Sequence, residues 1–268
     1  MMPGSSVIVE RIGSLTPELS AWLEFDPVRN AYPLDYAGRD PDRVELLAAK
    51  LDGAIRGHLF VYDSHEMGIK WAYLRGDKVA VETLLSRLPR GRVVVNTEPE
   101  LVSIVKARSD FTEADIDHIM VVVRGEQRLV DSTSAVRLGP EHAEAYCRFA
   151  NPDSPTVTPG EMEMHRRLLR EEVVYGIFAE DGTIASVASS NCRSQVVWVL
   201  SGVETLPQHR GHGFTAKVCS AVTRIGLMEA PRVVLFVNAA NLQAIRLYSR
   251  LGYRKAGENA VLEIRSGE

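Results

Sequence analysis

"VETLPQHRGHGFTAKV", residues 203–218, sets two glycines around a histidine, directly after an arginine, where a strand-like run gives way to a helix-like one. Val203 and Thr205 close the strand-like run, and Pro207 stops any ladder there because it has no N–H. From Phe214 onward the apolar residues Phe214, Val218, Val222 and Ile225 recur at helical spacing. Gly211 and Gly213 therefore stand at a helix N-terminus. The first N–H groups of a helix lack internal partners, and the helix dipole adds partial positive charge. A backbone without Cβ atoms lets an anion approach those groups and permits unusual φ/ψ. Arg210 adds a full charge, so the stretch reads as a cradle for phosphate or pyrophosphate.

Three known uses of such a turn compete. A Walker A loop ends in GK[ST], whereas Gly213 is followed by FTAK. The letters GHGFTA fit the dinucleotide pattern G-x-G-x-x-A. That fold, however, wants an acidic residue at the end of the next strand, and RVVLFVN ends in Asn238. The chain beyond residue 211 is also short for such a sheet. The third use fits best: P-x-x-R-G-x-G after a strand resembles the pyrophosphate arm of the GNAT family of acyl-CoA-dependent N-acyltransferases. In Arg210-Gly211-His212-Gly213-Phe214-Thr215 the last position departs from the family's Gly or Ala. A second segment follows one helix and one strand later. Asn238-Ala-Ala-Asn241, Ala244, Leu247-Tyr248 and Leu251-Gly252-Tyr253 resemble the family's N-x-x-A-x-x-L-Y-x-x-L-G-[FY] signature.

The whole chain sets bounds on this reading. Its 268 residues suffice for one large domain or two smaller ones. A net charge of −4 gives no electrostatic reason to expect nucleic acid or an anionic membrane. Cys147, Cys192 and Cys219 are scattered and form no CxxC pair, which predicts reduced thiols, no metal site and a cytoplasmic setting. The first residues, MMPGSSVIVERIG, lack the pattern of a signal peptide, and no apolar run is long enough for a membrane span.

Strand-like runs are SVIVE, GHLFVYD, GRVVVNT, DHIMVVV, VVYGIFAE, TIASVAS, VVWVLSGVET, RVVLFVN and AVLEI. Helical patterns are DRVELLAAKL, KVAVETLLSRL, PELVSIVKAR, PEHAEAYCRFA, GEMEMHRRLLREE, GFTAKVCSAVTRIGLM and LQAIRLYSRLG. The chain is thus α/β (α+β), and the turn-rich stretch 125–139 suggests a boundary near residue 132. VVVNTEPELVSIVKAR (93–108) resembles VLFVNAANLQAIRLYSR (234–250), and RGDK (75–78) matches RGHG (210–213) more weakly. We expect two GNAT-like domains, each a mixed, mostly antiparallel twisted sheet flanked by helices. Residues 1–131 would be the degenerate copy and 132–268 the catalytic one. In the first copy Lys78 stands at the position of Gly213, and Ala107 at that of Tyr248.

The resemblance implies acetyl-CoA, or another acyl-CoA, as cosubstrate, with no metal. It implies that the strand carrying Val203, Glu204 and Thr205 pairs with the pantetheine arm. Residues 210–215 (Arg210, Gly211, His212, Gly213, Phe214 and Thr215) would then hold the pyrophosphate. It adds a cofactor contact for Asn241, beside Asn238, although local chemistry reads both as helix caps. It also makes Tyr248 the general acid toward the CoA sulfur, where spacing alone reads a core aromatic. Glu204 is by itself a solvated strand residue, with deprotonation of the acceptor as the sharper reading. Cys219 falls inside a helix and reads as buried, against an acyl-cysteine route. The expected reaction is transfer of an acetyl group to a primary amine in a ternary complex. The glycine-N-acyltransferase-like, FR47-like branch points to an amino acid or other small amine. A protein lysine or N-terminus is the alternative acceptor, and a non-catalytic acyl-CoA sensor the alternative of another class. The expected state is a monomer or homodimer.

Overall fold

The computed structural model describes residues 7–64, 68–107, 111–154 and 156–265. Ser6 of the first expected strand, and Arg108 of an expected helix, lie outside them. The elements are β1 (Ile8–Arg11), α1 (Pro17–Phe25), α2 (Ala31–Arg39), β2 (Val44–Leu51), β3 (Ala54–Ser64), β4 (Ile69–Gly76), α3 (Lys78–Leu84), β5 (Arg92–Thr97), α4 (Val102–Lys106) and β6 (Asp115–Val123). They continue with β7 (Val136–Arg137), α5 (Ala143–Ala150), α6 (Pro159–Glu171), β8 (Val173–Phe178), β9 (Ile184–Arg193), β10 (Trp198–Thr205), α7 (Phe214–Glu229), β11 (Arg232–Asn238), α8 (Leu242–Arg250) and β12 (Arg254–Arg265). The order β-α-α-β-β-β-α-β-α-β thus occurs twice.

By contacts the chain forms two compact units that are not contiguous in sequence. The first comprises residues 1–119, 236–241 and 256–268, and the second 120–235 and 242–255. This division differs from a single cut near residue 132, because the end of β11 and most of β12 belong to the first unit.

In the first unit β1, β2, β3, β4 and β5 are neighbours in sequence order, and β12 pairs antiparallel with β5 through Ala260↔Thr97 to Arg265↔Arg92. Of these pairs β4 and β5 run parallel, the pairing that needs a crossover, and α3 supplies it. The second unit repeats the scheme. Strands β7, β8, β9 and β10 pair antiparallel in order, and β10 pairs parallel with β11 across α7. Each unit has its own core: Leu59, Leu74, Val95 and Leu262 in the first, Leu138, Phe149, Leu169 and Val187 in the second. Full burial of one such side chain contributes about 1.5–3 kcal/mol.

Four elements in particular depart from the sequence reading. DRVELLAAKL was expected as a helix, but Val44–Leu51 is strand β2, held between β1 and β3. Leu46, Leu47, Ala48 and Ala49 are all buried, so both faces are covered and the alternation that marks a strand is lost. The strand IKWAYLRG (β4) and the helices α1 and α2 were not anticipated. Helix α1 nevertheless has a sequence signal: Thr16 caps it by accepting from Leu19 N at 3.2 Å, and Pro17 opens it.

Candidate functional site

The candidate site is built where β10 hands over to α7. Strand β10 begins as a core strand, with Trp198, Val199 and Leu200 buried, and then opens, with Gly202 and Glu204 exposed. Its parallel ladder with β11 pairs Trp198 with Val233 and Val199 with Val234, at the start of both strands. Against β9 the register shifts twice, between Val199 and Ser201 and between Ser201 and Glu204. Gly202 has φ 55°, a conformation that suits a residue without Cβ in an irregular stretch. The segment 201–205 therefore offers backbone that its neighbours do not fully regularise.

After Thr205 the chain makes a short turn, Pro207–His209, and enters the glycine loop. Gly211 has φ 83° and Gly213 φ 76°, both in the left-handed region. A Cβ built on either would meet nothing within 4 Å among the described residues, so the loop faces open space. Gly213 is the N-cap of α7 and has no side chain to offer the first-turn N–H groups. Arg210 donates from Nε to Thr205 O at 3.3 Å, which draws its guanidinium beside the loop. His212 stacks on Phe214, ring centroids 5.6 Å apart, and its Nδ1 lies 3.3 Å from His209 O. These donors, with no Cβ in the way, suit the phosphates of an acyl-CoA.

One feature of the loop escaped the sequence. Thr215, the departure from the family pattern, shares a 2.7 Å hydroxyl hydrogen bond with Thr205, which shares another of 2.7 Å with buried Ser186. Ser186 Oγ also lies 3.0 Å from Glu204 O. This chain ties the end of β10 to the first turn of α7 and to β9. Ser186 lies far from the loop in sequence, so only the fold brings the three together.

Tyr248, on α8, is 7% exposed and meets Tyr253 edge-on at 6.0 Å. Tyr253 is anchored through its hydroxyl to Thr223 of α7 at 2.7 Å. Burial pushes the Tyr248 phenol well above its ordinary range, with the Cys219 thiol a smaller cause. The phenol is therefore protonated at any physiological pH and can donate a hydrogen bond. Cys219 is fully buried in α7, and burial pushes its thiol up to about 12, which leaves it a packing residue.

Glu204 is exposed on β10. Near it lies Tyr146 of α5, which the sequence did not single out. Burial first, then Glu172 and Glu204, push its phenol up to about 12. Val203 is half-buried beside Glu204. Asn238 closes a local turn: its Oδ1 accepts from Ala240 N at 2.9 Å and its carbonyl from Asn241 N at 2.8 Å. By contacts Asn238 and Asn241 fall in the first unit. There Asn238 lines a cavity of about 340 Å³ with Tyr32, Trp71, Tyr73, Asp115 and Asp117.

Cys147, Cys192 and Cys219 are all buried. Among the described residues no group of three or more His, Cys, Asp or Glu could hold a metal ion, and no helix is long and apolar enough to cross a membrane.

Residues 174–262, which contain this loop and α8, match the family described as FR47-like protein. No curated protein matches the sequence. Among solved structures, a Drosophila protein is similar with a TM-score of 0.68 at 14% identity, over 97% of this chain and 99% of that one. A GCN5-related N-acetyltransferase from Kribbella flavida gives 0.58 at 16% identity, over 94% and 98%. A tandem GNAT protein from the clavulanic acid biosynthesis pathway, solved without AcCoA, gives 0.60 at 12% identity, over 98% and 99%. At such identities the likeness speaks for the fold, and it spans both units. Residues 174–262 thus resemble the FR47-like family, and the strand order and repeated units are shared with the tandem GNAT fold.

Proposed function

We propose that the chain is an acetyl-CoA-dependent N-acetyltransferase whose acceptor is a primary amine, an amino acid or other small amine. The observation that carries this is the uncapped N-terminus of α7, fronted by two left-handed glycines that face open space, directly after the irregular end of β10. Acetyl-CoA supplies an activated acyl thioester. Gly211, Gly213 and the first-turn N–H groups of α7 hold its pyrophosphate, with Arg210 and His212 beside them. The backbone of Val203, Glu204 and Thr205 holds the pantetheine arm, and a β10 N–H stabilises the oxyanion that develops at the carbonyl.

The amine nitrogen forms a bond to the acyl carbon as the carbon–sulfur bond breaks. The nitrogen loses a proton, and the sulfur leaves as thiolate and then takes one up. Tyr248 acts at the sulfur. With its pKa raised above an already weak acid's, it works mainly as a hydrogen-bond donor while charge develops. In this reading Glu204, exposed on β10, receives the amine's proton.

The test is release of free CoA thiol from acetyl-CoA with a panel of amino acids, alkyl and aryl amines, and peptides with a free N-terminus or lysine. Thiol release with small amines is expected. Release with peptides alone would move the reading to protein acetylation. Tight CoA binding with no release from any amine would make the chain an acyl-CoA-binding module.

A further inference from the structure

The first unit carries a polar cavity of its own, unrelated to the glycine loop. It measures about 170 Å³ and is lined by Trp22, Arg29, Asn30, His58, Arg75 and Glu98, among others. Arg75, at the end of β4, is 4% exposed, and His58, its cross-strand partner on β3, is fully buried. Arg75 Nη2 donates to Asn259 Oδ1 at 2.7 Å, and Asn259 Nδ2 donates in turn to Asn96 Oδ1 at 2.9 Å. Its other donors are less well placed. Nη1 forms an ion pair with Glu98 Oε2 at 3.5 Å, outside hydrogen-bond geometry, and Nε has no hydrogen-bond partner among the described residues.

The other walls repeat the pattern. Trp22 donates to His58 Nδ1 at 3.3 Å, which puts the imidazole proton on Nε2, and Nε2 has no partner among the described residues. Burial, then Arg75, holds His58 down to about 3, so it is a neutral donor. Arg29 pairs with Asp26 at 2.6 Å through Nη1, while its Nε has no hydrogen-bond partner among the described residues. Asn30 donates from Nδ2 to Leu23 O at 3.0 Å, and its Oδ1 has no hydrogen-bond partner among the described residues.

Buried polar atoms without partners are rare and costly. Here they gather around one cavity, and they are of two kinds. Arg75, His58 and Arg29 present donors, while Glu98 and Asn30 present acceptors. The charges also balance, since Arg29 stands against Asp26 and Arg75 against Glu98. A net anion or cation would unbalance the site, whereas a zwitterion satisfies both sets of atoms. We propose that this cavity is a binding site for a free α-amino acid, with the carboxylate toward Arg75 and His58 and the ammonium toward Glu98 and Asn30.

Calorimetric titration of the full chain, without CoA, tests this with glycine and alanine, and with acetate and methylamine as half-ligands. One amino acid per chain is expected, bound at least about tenfold tighter than either half-ligand, the scale of a charged hydrogen bond. Glu98→Gln, nearly isosteric, should weaken amino-acid binding about tenfold or more and, by leaving Arg75 without its counter-charge, tighten acetate. Arg75→Met should abolish both; if it does not fold, Glu98→Gln decides alone. No saturable binding would mean that water fills the cavity and would overturn the proposal. Acetate binding as tightly as glycine would overturn it too, as would amino-acid binding indifferent to Glu98→Gln, which would place the ligand elsewhere.

Discussion

The two units begin their crossover helices in opposite ways. In the first, Asp77 caps α3: its Oδ1 accepts from Ala80 N at 2.9 Å, and its Oδ2 pairs with Arg56 at 2.8 Å. In the second, Gly213 caps α7 with no side chain at all. One helix therefore carries its anion covalently, and the other leaves its N-terminal N–H groups to be satisfied from outside. The strands before the helices differ in the same sense. Strand β4 keeps one register with β3 from Gly57↔Gly76 to Ser64↔Ile69, and pairs with β5 from Lys70↔Val93 to Tyr73↔Asn96. Strand β10 shifts register twice, and its ladder with β11 stops at Val199↔Val234. By this comparison the regular, self-capped copy has no opening for an anion at its crossover helix, whereas the irregular, uncapped copy keeps one.

The strongest way to break the comparison is to give the second loop the first loop's cap. Gly213→Asp keeps a residue type that tolerates positive φ and puts a carboxylate where the pyrophosphate is expected. Two unit charges about 4 Å apart at an effective dielectric near 20 repel by about 4 kcal/mol, or roughly a thousandfold in affinity. CoA affinity should fall on that scale, while circular dichroism shows the chain folded. Parent-like binding by a folded variant would separate the loop from the cofactor.

The next effect is catalytic. Tyr248→Phe removes a donor and leaves the ring against Tyr253. A hydrogen bond to a charged group contributes about 1.5–3 kcal/mol, so kcat should drop roughly 10- to 150-fold. Acetyl-CoA affinity should barely move. An unchanged kcat would return Tyr248 to the role of a core aromatic. The high phenol pKa adds a sign: with the folded phenol raised, no alkaline loss of kcat below about pH 10 should trace to Tyr248 ionising.

A smaller effect tests the hydroxyl chain. Thr215→Ala restores the small residue of the family pattern and removes one neutral hydrogen bond to Thr205. Such a bond contributes about 0.5–1.5 kcal/mol, so CoA affinity should weaken by roughly two- to tenfold. Tighter binding would instead show that the threonine crowds the cofactor.

What the sequence revealed follows from how local each signal is. The end of β10, the start of α7, and β11 were legible because Pro207, the two glycines and a helical period speak within a few residues of one another. Strand β2 was misread because burial on both faces erases its period, leaving Leu46–Ala49 equally compatible with a helix. The tie from Ser186 through Thr205 to Thr215, and the cavity around Arg75 and Asn259, join residues far apart in the chain. Nothing in a single sequence marks such pairs. The same holds for the passage of residues 236–241 and 256–268 into the first unit, which no linear boundary can express.

The smallest expected effect on the cofactor is none, from the reciprocal change. Asp77→Gly opens the N-terminus of α3 as Gly213 opens that of α7. Losing the cap costs about 0.5–2 kcal/mol of stability at most, nearer a few tenths where glycine replaces it. The ion pair with Arg56, with side chains 50% and 34% exposed, adds little. Thermal unfolding should therefore shift down slightly. Calorimetry with CoA should still give one site per chain, because β4 remains fully registered with β3 and offers the pantetheine arm no free backbone. Lys78 also still follows the opened cap, carrying a side chain where the second loop has none. A second CoA bound by Asp77→Gly would mean that the cap alone silences the first unit, and that the strand's regularity has no part in it.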